Sequence, residues 1–308
     1  MILMIVVILV AAVTLLVSYI AYRMAFYSDR SKPEDIYQRS PGMTDEDAPK
    51  MKALTDWMLA REFEWVYITS DDGLKLAARY YHMADGAPLQ IHCHGYRGTS
   101  LRDFSGGNKM AYEVGHNALV IDQRACGRSE GNTITFGIKE RYDVMRWIEY
   151  AIDRFGPDVK IILNGISMGS STLLMLSGMD LPANVKGITA DCPFSGGEKI
   201  IMKVCKDMKL PPNIMKPFIR LGARLFGHFN LNETTAVEGI KNKKVPVLLI
   251  HGEADSYVPY EMSREIYDAN PVDTRFESYP GADHGLSFLK DPDRFRKMMF
   301  SFLEDCLK

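Results

Sequence analysis

Short apolar runs that alternate with helical stretches constrain this chain more than any other feature of its sequence. "PLQIHCHG", "NALVIDQ", "KIILNGIS", "KGITADCP", "VPVLLIHGE" and "TRFESYPG" follow one another, with intervals such as "KERYDVMRWIEYAIDRFG" between them. Runs that are apolar on both faces and separated by helices predict a mostly parallel sheet with helices on both sides. "EFEWVYITS" and "LKLAARYYH", joined by Asp71-Asp72-Gly73, predict an antiparallel hairpin at the start of that sheet. With 308 residues, 46% of them hydrophobic, the chain is long enough for one large α/β domain with a full core.

That domain is expected over residues 62–308, and what precedes it differs in kind. "MILMIVVILVAAVTLLVSYIAY" carries no charged side chain and is closed by Arg23. An apolar helix of about 20 residues spans a bilayer core. No Lys or Arg precedes the run and no A-x-A site follows it, so residues 1–23 are expected to be a retained transmembrane anchor in the lipid bilayer and not a cleaved signal peptide. Tyr19, Tyr22 and Tyr27 suit an interfacial belt, while Arg23, Arg30 and Lys32 favour a cytoplasmic domain. Residues 24–61 are expected to form a tether, marked by Pro33, Pro41, Gly42 and Pro49, and then an amphipathic helix capped by Thr44. Met51, Leu54 and Met58 fall on one face of that helix.

One stretch breaks the rhythm of strand and helix. Residues 195–240 separate two strand-like runs and contain only helical segments, crowded with Met202, Met208, Met215 and Phe218. An ordinary crossover is usually much shorter. A helical lid over a pocket is therefore expected, built on adaptable thioether side chains.

Bulk charge narrows the partners. A formal net charge of -2, with no run of like charge, supplies no basic field for nucleic acid. Cys93, Cys126, Cys192, Cys205 and Cys306 lack CxxC spacing, so neither a zinc site nor a disulfide framework is expected. His92 and His94 share a strand face, but no Asp-His pair follows to complete a dinuclear set. No metal and no cofactor are expected, and no motif sets an oligomeric state.

The chemistry is expected at Gly165-Ile166-Ser167-Met168-Gly169. Gly-x-Ser-x-Gly between a strand and a helix makes a sharp turn that lifts the serine above the sheet, and the glycines let the two backbones approach. The bland reading is a tight turn in which Ser167 only caps the next helix. A serine hydroxyl needs a base, and the base an orienting acid. Asp255 follows the strand "VPVLLIHGE", and His284, the only histidine beyond it, follows "TRFESYPG". All three residues then lie on one rim, in the order Ser…Asp…His. Asp191 is a rival acid one strand earlier, and Asp283 is a weaker one. His251 is expected to support the Asp255 loop. His94-Gly95 allows a backbone turn that aims the Tyr96 amide at Ser167, and the Met168 amide is the natural second donor for an oxyanion.

The segments "HGYRGT", "DQRACGRSEG", "GISMGS", "HGEADSYVP" and "GADHG" resemble, in this order, those of the α/β-hydrolase superfamily, particularly its serine-aminopeptidase-like and dienelactone-hydrolase-like branches. Asp122, Arg124, Gly127 and Ser129 match the family's loop after the fourth strand, where Ala125 replaces a glycine. The resemblance implies the fold, a Ser167–His284–Asp255 triad, the two backbone donors and a small-molecule acyl substrate. A carboxylic ester with an apolar acyl chain is the expected substrate. Two alternatives stand beside it. A peptidase would need an acidic anchor for a free amine, with Glu198 and Glu233 as candidates. A non-catalytic binding protein on the same fold is the other.

Overall fold

The computed structural model describes residues 1–29, 35–40 and 42–308. Arg30, Lys32 and Pro33, on which the expected charge flank and tether partly rest, lie outside the described residues, as does Pro41.

The sheet has eight strands: β1 (Glu64–Thr69), β2 (Lys75–Tyr81), β3 (Leu89–Cys93), β4 (Asn117–Asp122), β5 (Ile161–Ile166), β6 (Val185–Asp191), β7 (Val247–Gly252) and β8 (Thr274–Tyr279). Their order is β1-β2-β4-β3-β5-β6-β7-β8, with β2 antiparallel to both its neighbours and every other adjacent pair parallel. The β1–β2 turn forms where Asp71-Asp72-Gly73 predicts it. Gly73 stands at φ 86° and donates to the Ser70 carbonyl at 3.0 Å, while the Leu74 amide donates to Ser70 Oγ at 2.8 Å.

Helices cover both faces. The intervening helices are α3 (Ser100–Glu113), α4 (Glu140–Phe155), α5 (Met168–Leu176), α6 (Gly197–Asp207), α7 (Pro212–Leu225), α8 (Ala236–Lys241), α9 (Tyr260–Ala269), α10 (Ser287–Lys290) and α11 (Pro292–Leu307); α1 (Ile2–Ala25) and α2 (Asp47–Leu59) precede the sheet. Trp147 and Ile148 of α4, Leu173 of α5, Ile240 of α8 and Ile266 of α9 bury one face of the sheet. Met110 of α3 with Phe295, Met299 and Phe302 of α11 bury the other. Each such side chain contributes roughly 1.5–3 kcal/mol when fully buried.

Three boundaries differ from the sequence expectation. The helix expected from Thr44 begins at Asp47, whose amide still donates to Thr44 Oγ1 at 3.2 Å; with Met58 fully buried against α3, α2 belongs to the body. Residues 24–28, expected to open the tether, instead pack into the body. Phe26 is fully buried between Phe136 and Phe229, Tyr27 forms a bridge with Thr133, and the Ser28 amide donates to the Asn132 carbonyl at 2.9 Å. Within the expected 195–240 insertion, α8 is core: Ala236 and Ile240 are fully buried, and a Cβ on Gly239 would lie 2.0 Å from the Leu174 carbonyl oxygen. Only α6 and α7 stand over the rim.

The helix α1 is long and apolar enough to cross a membrane, with a mean hydropathy of 2.9 over its best window. Its side chains are exposed for most of its length and become buried at Ser18, Ala21 and Tyr22, where it packs on α7.

Candidate active site

The strand β5 ends in a turn with little room for side chains. Ser167 stands at φ 54°, a left-handed conformation for a residue with a Cβ. The surrounding contacts hold it there. Its amide donates to the Asp191 carbonyl at 2.8 Å, its carbonyl accepts the Ser171 amide at 3.0 Å, and Ser170 Oγ donates to that same Asp191 carbonyl at 2.7 Å. A Cβ on Gly165 would come within 2.5 Å of the Ser170 amide nitrogen, and one on Gly169 within 1.9 Å of the Cys93 carbonyl oxygen. The two glycines are what allow β5, β3 and α5 to meet beneath the serine.

Two further loops at the same rim bring an acid and a base to it. His284 Nε2 lies 2.9 Å from Ser167 Oγ, and His284 Nδ1 lies 2.7 Å from Asp255 Oδ2. The pattern requires a proton on Nδ1, donated to the carboxylate, and a lone pair on Nε2, which accepts from the serine hydroxyl. Asp255 has no solvent-exposed side-chain surface. Its Oδ1 accepts the Tyr257 and Val258 amides at 2.9 and 2.7 Å. Burial opposes its charge, but hydrogen bonds from His251 and His284 outweigh that penalty and hold its pKa well below the usual carboxylate range. The carboxylate therefore stays ionised where the imidazole needs it.

The rival acids have other tasks. The Asp283 carboxylate accepts from Ser256 N at 2.8 Å and from its own neighbour's amide, His284 N, at 2.7 Å, so it ties two loops together. Asp191 sits beside Ile166 in the β5–β6 register. The residue keeps some surface exposure, yet its Oδ1 is sealed from solvent with no hydrogen-bond partner among the described residues, and desolvation pushes its pKa up to about 7. His284 Nδ1 is already committed to Asp255.

The loop after β3 lies against the serine. A Cβ on Gly95 would be 3.4 Å from Ser167 Cβ, and the Gly95 amide is held by Asp103 Oδ2 at 2.9 Å. The Tyr96 amide donates to no acceptor among the described residues. Met168 opens α5, where first-turn amides have no carbonyl behind them. The β4 loop is structural: Asp122 Oδ1 accepts from Ser100 Oγ at 2.6 Å, and Arg124 pairs with Asp143 and Asp72 at 2.6 and 2.9 Å. Ala125 stands at φ 62°, a conformation that a glycine would adopt without strain.

Sequence reasoning missed two neighbours of the imidazole. Cys192 Sγ lies 3.9 Å from His284 Nε2, with its thiol pushed well up by burial. The Tyr257 ring centroid lies 5.2 Å from that of His284. Residue type alone carries no signal for either contact. His251, expected to support the Asp255 loop, does so directly: its Nε2 is 3.1 Å from Asp255 Oδ2 and its Nδ1 is 2.6 Å from Ser263 Oγ.

Comparison with known proteins follows the same lines. A family model described as the alpha/beta hydrolase fold matches residues 91–211, and one described as serine aminopeptidase, S33, matches residues 220–293. The uncharacterized protein YqkD of Bacillus subtilis is 26% identical over 233 residues, 73% of this chain and 74% of that protein. The lysophosphatidylserine lipase ABHD12 of Danio rerio is 24% identical over 196 residues, 59% of this chain and 47% of that one. Among solved structures, an esterase of Pyrococcus furiosus superposes with a TM-score of 0.64 at 22% identity, covering 89% of this chain and 99% of its own. Est1E of Butyrivibrio proteoclasticus with ferulic acid bound gives 0.60 at 20% identity, covering 77% and 98%.

Proposed function

Since the chain belongs to the α/β-hydrolase superfamily, we propose that it is a membrane-anchored serine hydrolase that cleaves a carboxylic ester. The observation that carries this reading is the hydrogen-bonded line Asp255–His284–Ser167 at the carboxyl ends of three strands. Ser167 Oγ attacks the acyl carbonyl carbon while His284 Nε2 takes its proton, and Asp255 stabilises the imidazolium. The Tyr96 and Met168 amides receive the negative oxygen; each such donor is worth about 3 kcal/mol in the transition state. The C–O bond to the alcohol breaks as His284 returns the proton to the leaving oxygen. Water, deprotonated by the same imidazole, then releases the acid from the acyl-enzyme.

An ester is favoured over an aminoacyl amide by the state of the two acids that a free amine would need. Glu198 is engaged by Lys216 and Arg220 at 2.8 and 2.5 Å and by Asn232 at 2.9 Å; burial works against its charge, but these partners bring its pKa down to about 2. Glu233 is paired with Arg141. A relative that is a lysophosphatidylserine lipase and a structural neighbour that is an esterase point the same way.

Retention of α1 as an anchor is supported by its docked end. Tyr96 Oη donates to the Ala25 carbonyl at 2.8 Å, Arg97 donates to the Met24 and Tyr27 carbonyls at 3.0 and 2.7 Å, and Tyr22 Oη bonds Thr133 Oγ1 at 2.8 Å.

The test is covalent labelling of the full chain with a fluorophosphonate, alongside Ser167→Ala, followed by p-nitrophenyl esters and aminoacyl amides. Wild-type labelling with none in the variant, and ester turnover well above amide turnover, are expected. Equal labelling of both proteins would remove Ser167 from the mechanism, and labelling of neither would leave a binding protein.

A further inference from the structure

The anchor helix does more than hold the domain near a membrane. Its last turns, through Ala21, Met24 and Ala25, form one wall of a cavity of about 490 Å3. The opposite wall is the lid, with Ile201 and Cys205 on α6 and Met215 on α7. That volume falls within the roughly 300–1,000 Å3 typical of small-molecule sites. Tyr96, whose amide is the proposed oxyanion donor, and Tyr257, whose ring packs on His284, also line it. The cavity thus joins two residues beside the reacting atoms, Tyr96 and Tyr257, to the end of α1.

The outer surface beside that place has the character of a membrane interface. Met208, Ile214 and Leu225 are exposed on the lid, while α1 becomes solvent-facing just before Ser18. Lys206 on α6, Lys209 in the turn after it and Arg224 on α7 lie along the same stretch, and none of them is paired with an acid among the described residues. Apolar side chains interspersed with free cations suit a surface that rests on anionic headgroups.

We infer that this cavity is the acyl-chain site and that the substrate is an amphiphilic fatty-acyl ester drawn from the bilayer, its chain passing between anchor and lid to reach Ser167. The inference rests on the serine-ester reading above and adds the source of the substrate and the residues that measure its chain. Ala21 and Met24 are then specificity determinants, because they close the cavity from the anchor side.

The test uses the full chain reconstituted in phospholipid vesicles. Wild type, Ala21→Trp and Met24→Trp are compared on p-nitrophenyl esters of increasing chain length. An indole placed in the cavity should lower the ratio of long-chain to short-chain kcat/KM by about tenfold or more. A second measurement does not depend on a variant. A long-chain fluorophosphonate with a diazirine at the end of its tail reacts with Ser167, the P–O bond forming as fluoride leaves and His284 takes the proton. Illumination should then cross-link the tail within residues 21–25 or 200–215. An unchanged chain-length ratio in both variants, or a tail mapped to other segments while the wild type still labels and turns over short esters, overturns the acyl-site inference alone. Failure of the wild type to label at all overturns the serine reading, and this inference with it.

Discussion

Asp255 serves two imidazoles at once. Its Oδ2 faces both His284 Nδ1 and His251 Nε2, and Ser263 closes the far side of His251. A neutral His251 protonated at Nε2, accepting the Ser263 hydroxyl at Nδ1, satisfies every partner in that chain. Asp255→Asn presents an amide to an N–H donor, and kcat is expected to fall roughly ten-thousandfold, the scale seen when a triad acid is neutralised. Asp191→Asn should stay within about tenfold of wild type in the same assay; the reverse ranking would move the acid to Asp191. The same substitution has a separate consequence for stability. The ordinary aspartate pKa is about 3.9, whereas the folded chain holds the Asp191 proton up to about pH 7. The folded state therefore binds more protons between those values, and stability falls as pH rises through that window. Thermal melts from about pH 5 to 8 should show that decline in wild type and a flatter profile in Asp191→Asn. Equal slopes would mean that this carboxyl does not titrate there.

At the level of elements, α7 is fitted to α1 through one small residue. A Cβ on Gly222 would sit 2.5 Å from the Ser18 carbonyl oxygen. Helix propensity alone would have Gly222→Ala gain about 1 kcal/mol. Close packing of α7 on α1 makes the opposite expected, a loss of about 1–3 kcal/mol read as a lowered Tm; a raised Tm would mean that the two helices are not in register. Neither this contact nor the bridge between Tyr27 and Thr133 could be read in the sequence, because each joins residues far apart through backbone fit and leaves no local pattern. The parallel strands were legible, since burial on both faces writes a continuous apolar run. The turn at Ser167 was legible because crowding there permits only glycine at positions 165 and 169. The convergence of Ser167, Asp255 and His284 was legible from topology, as each follows a parallel strand and so shares its rim. The proximity of Cys192 was not, because no rule of residue type distinguishes a thiol beside an imidazole from any other buried cysteine.

For the molecule as a whole, the end of α1 is a structural part and not an appendage. Tyr22 and Phe26 belong to the same apolar cluster as Met168, Phe136, Ile219 and Phe229, so the end of α1 and the turn at Ser167 share a core. Burial of those two aromatic rings contributes roughly 1.5–3 kcal/mol each. Removing residues 1–28 should therefore lower the Tm of the remaining chain and raise its binding of a hydrophobic dye, because Phe136, Ile219 and Phe229 lose their cover. A shortened chain that melts and binds dye like the full one would show that the first helix is only a leash. Under the proposed reading, a membrane-anchored hydrolase fed from the bilayer, the joint at Phe26 also decides the unit in which substrate is counted. A reactive rim carried on a stiff post at constant height explores a plane, so encounters scale with amphiphile per unit leaflet area and not with molarity. Spreading the same quantity of ester through more inert lipid would then slow turnover, although nothing in the surrounding solution had changed.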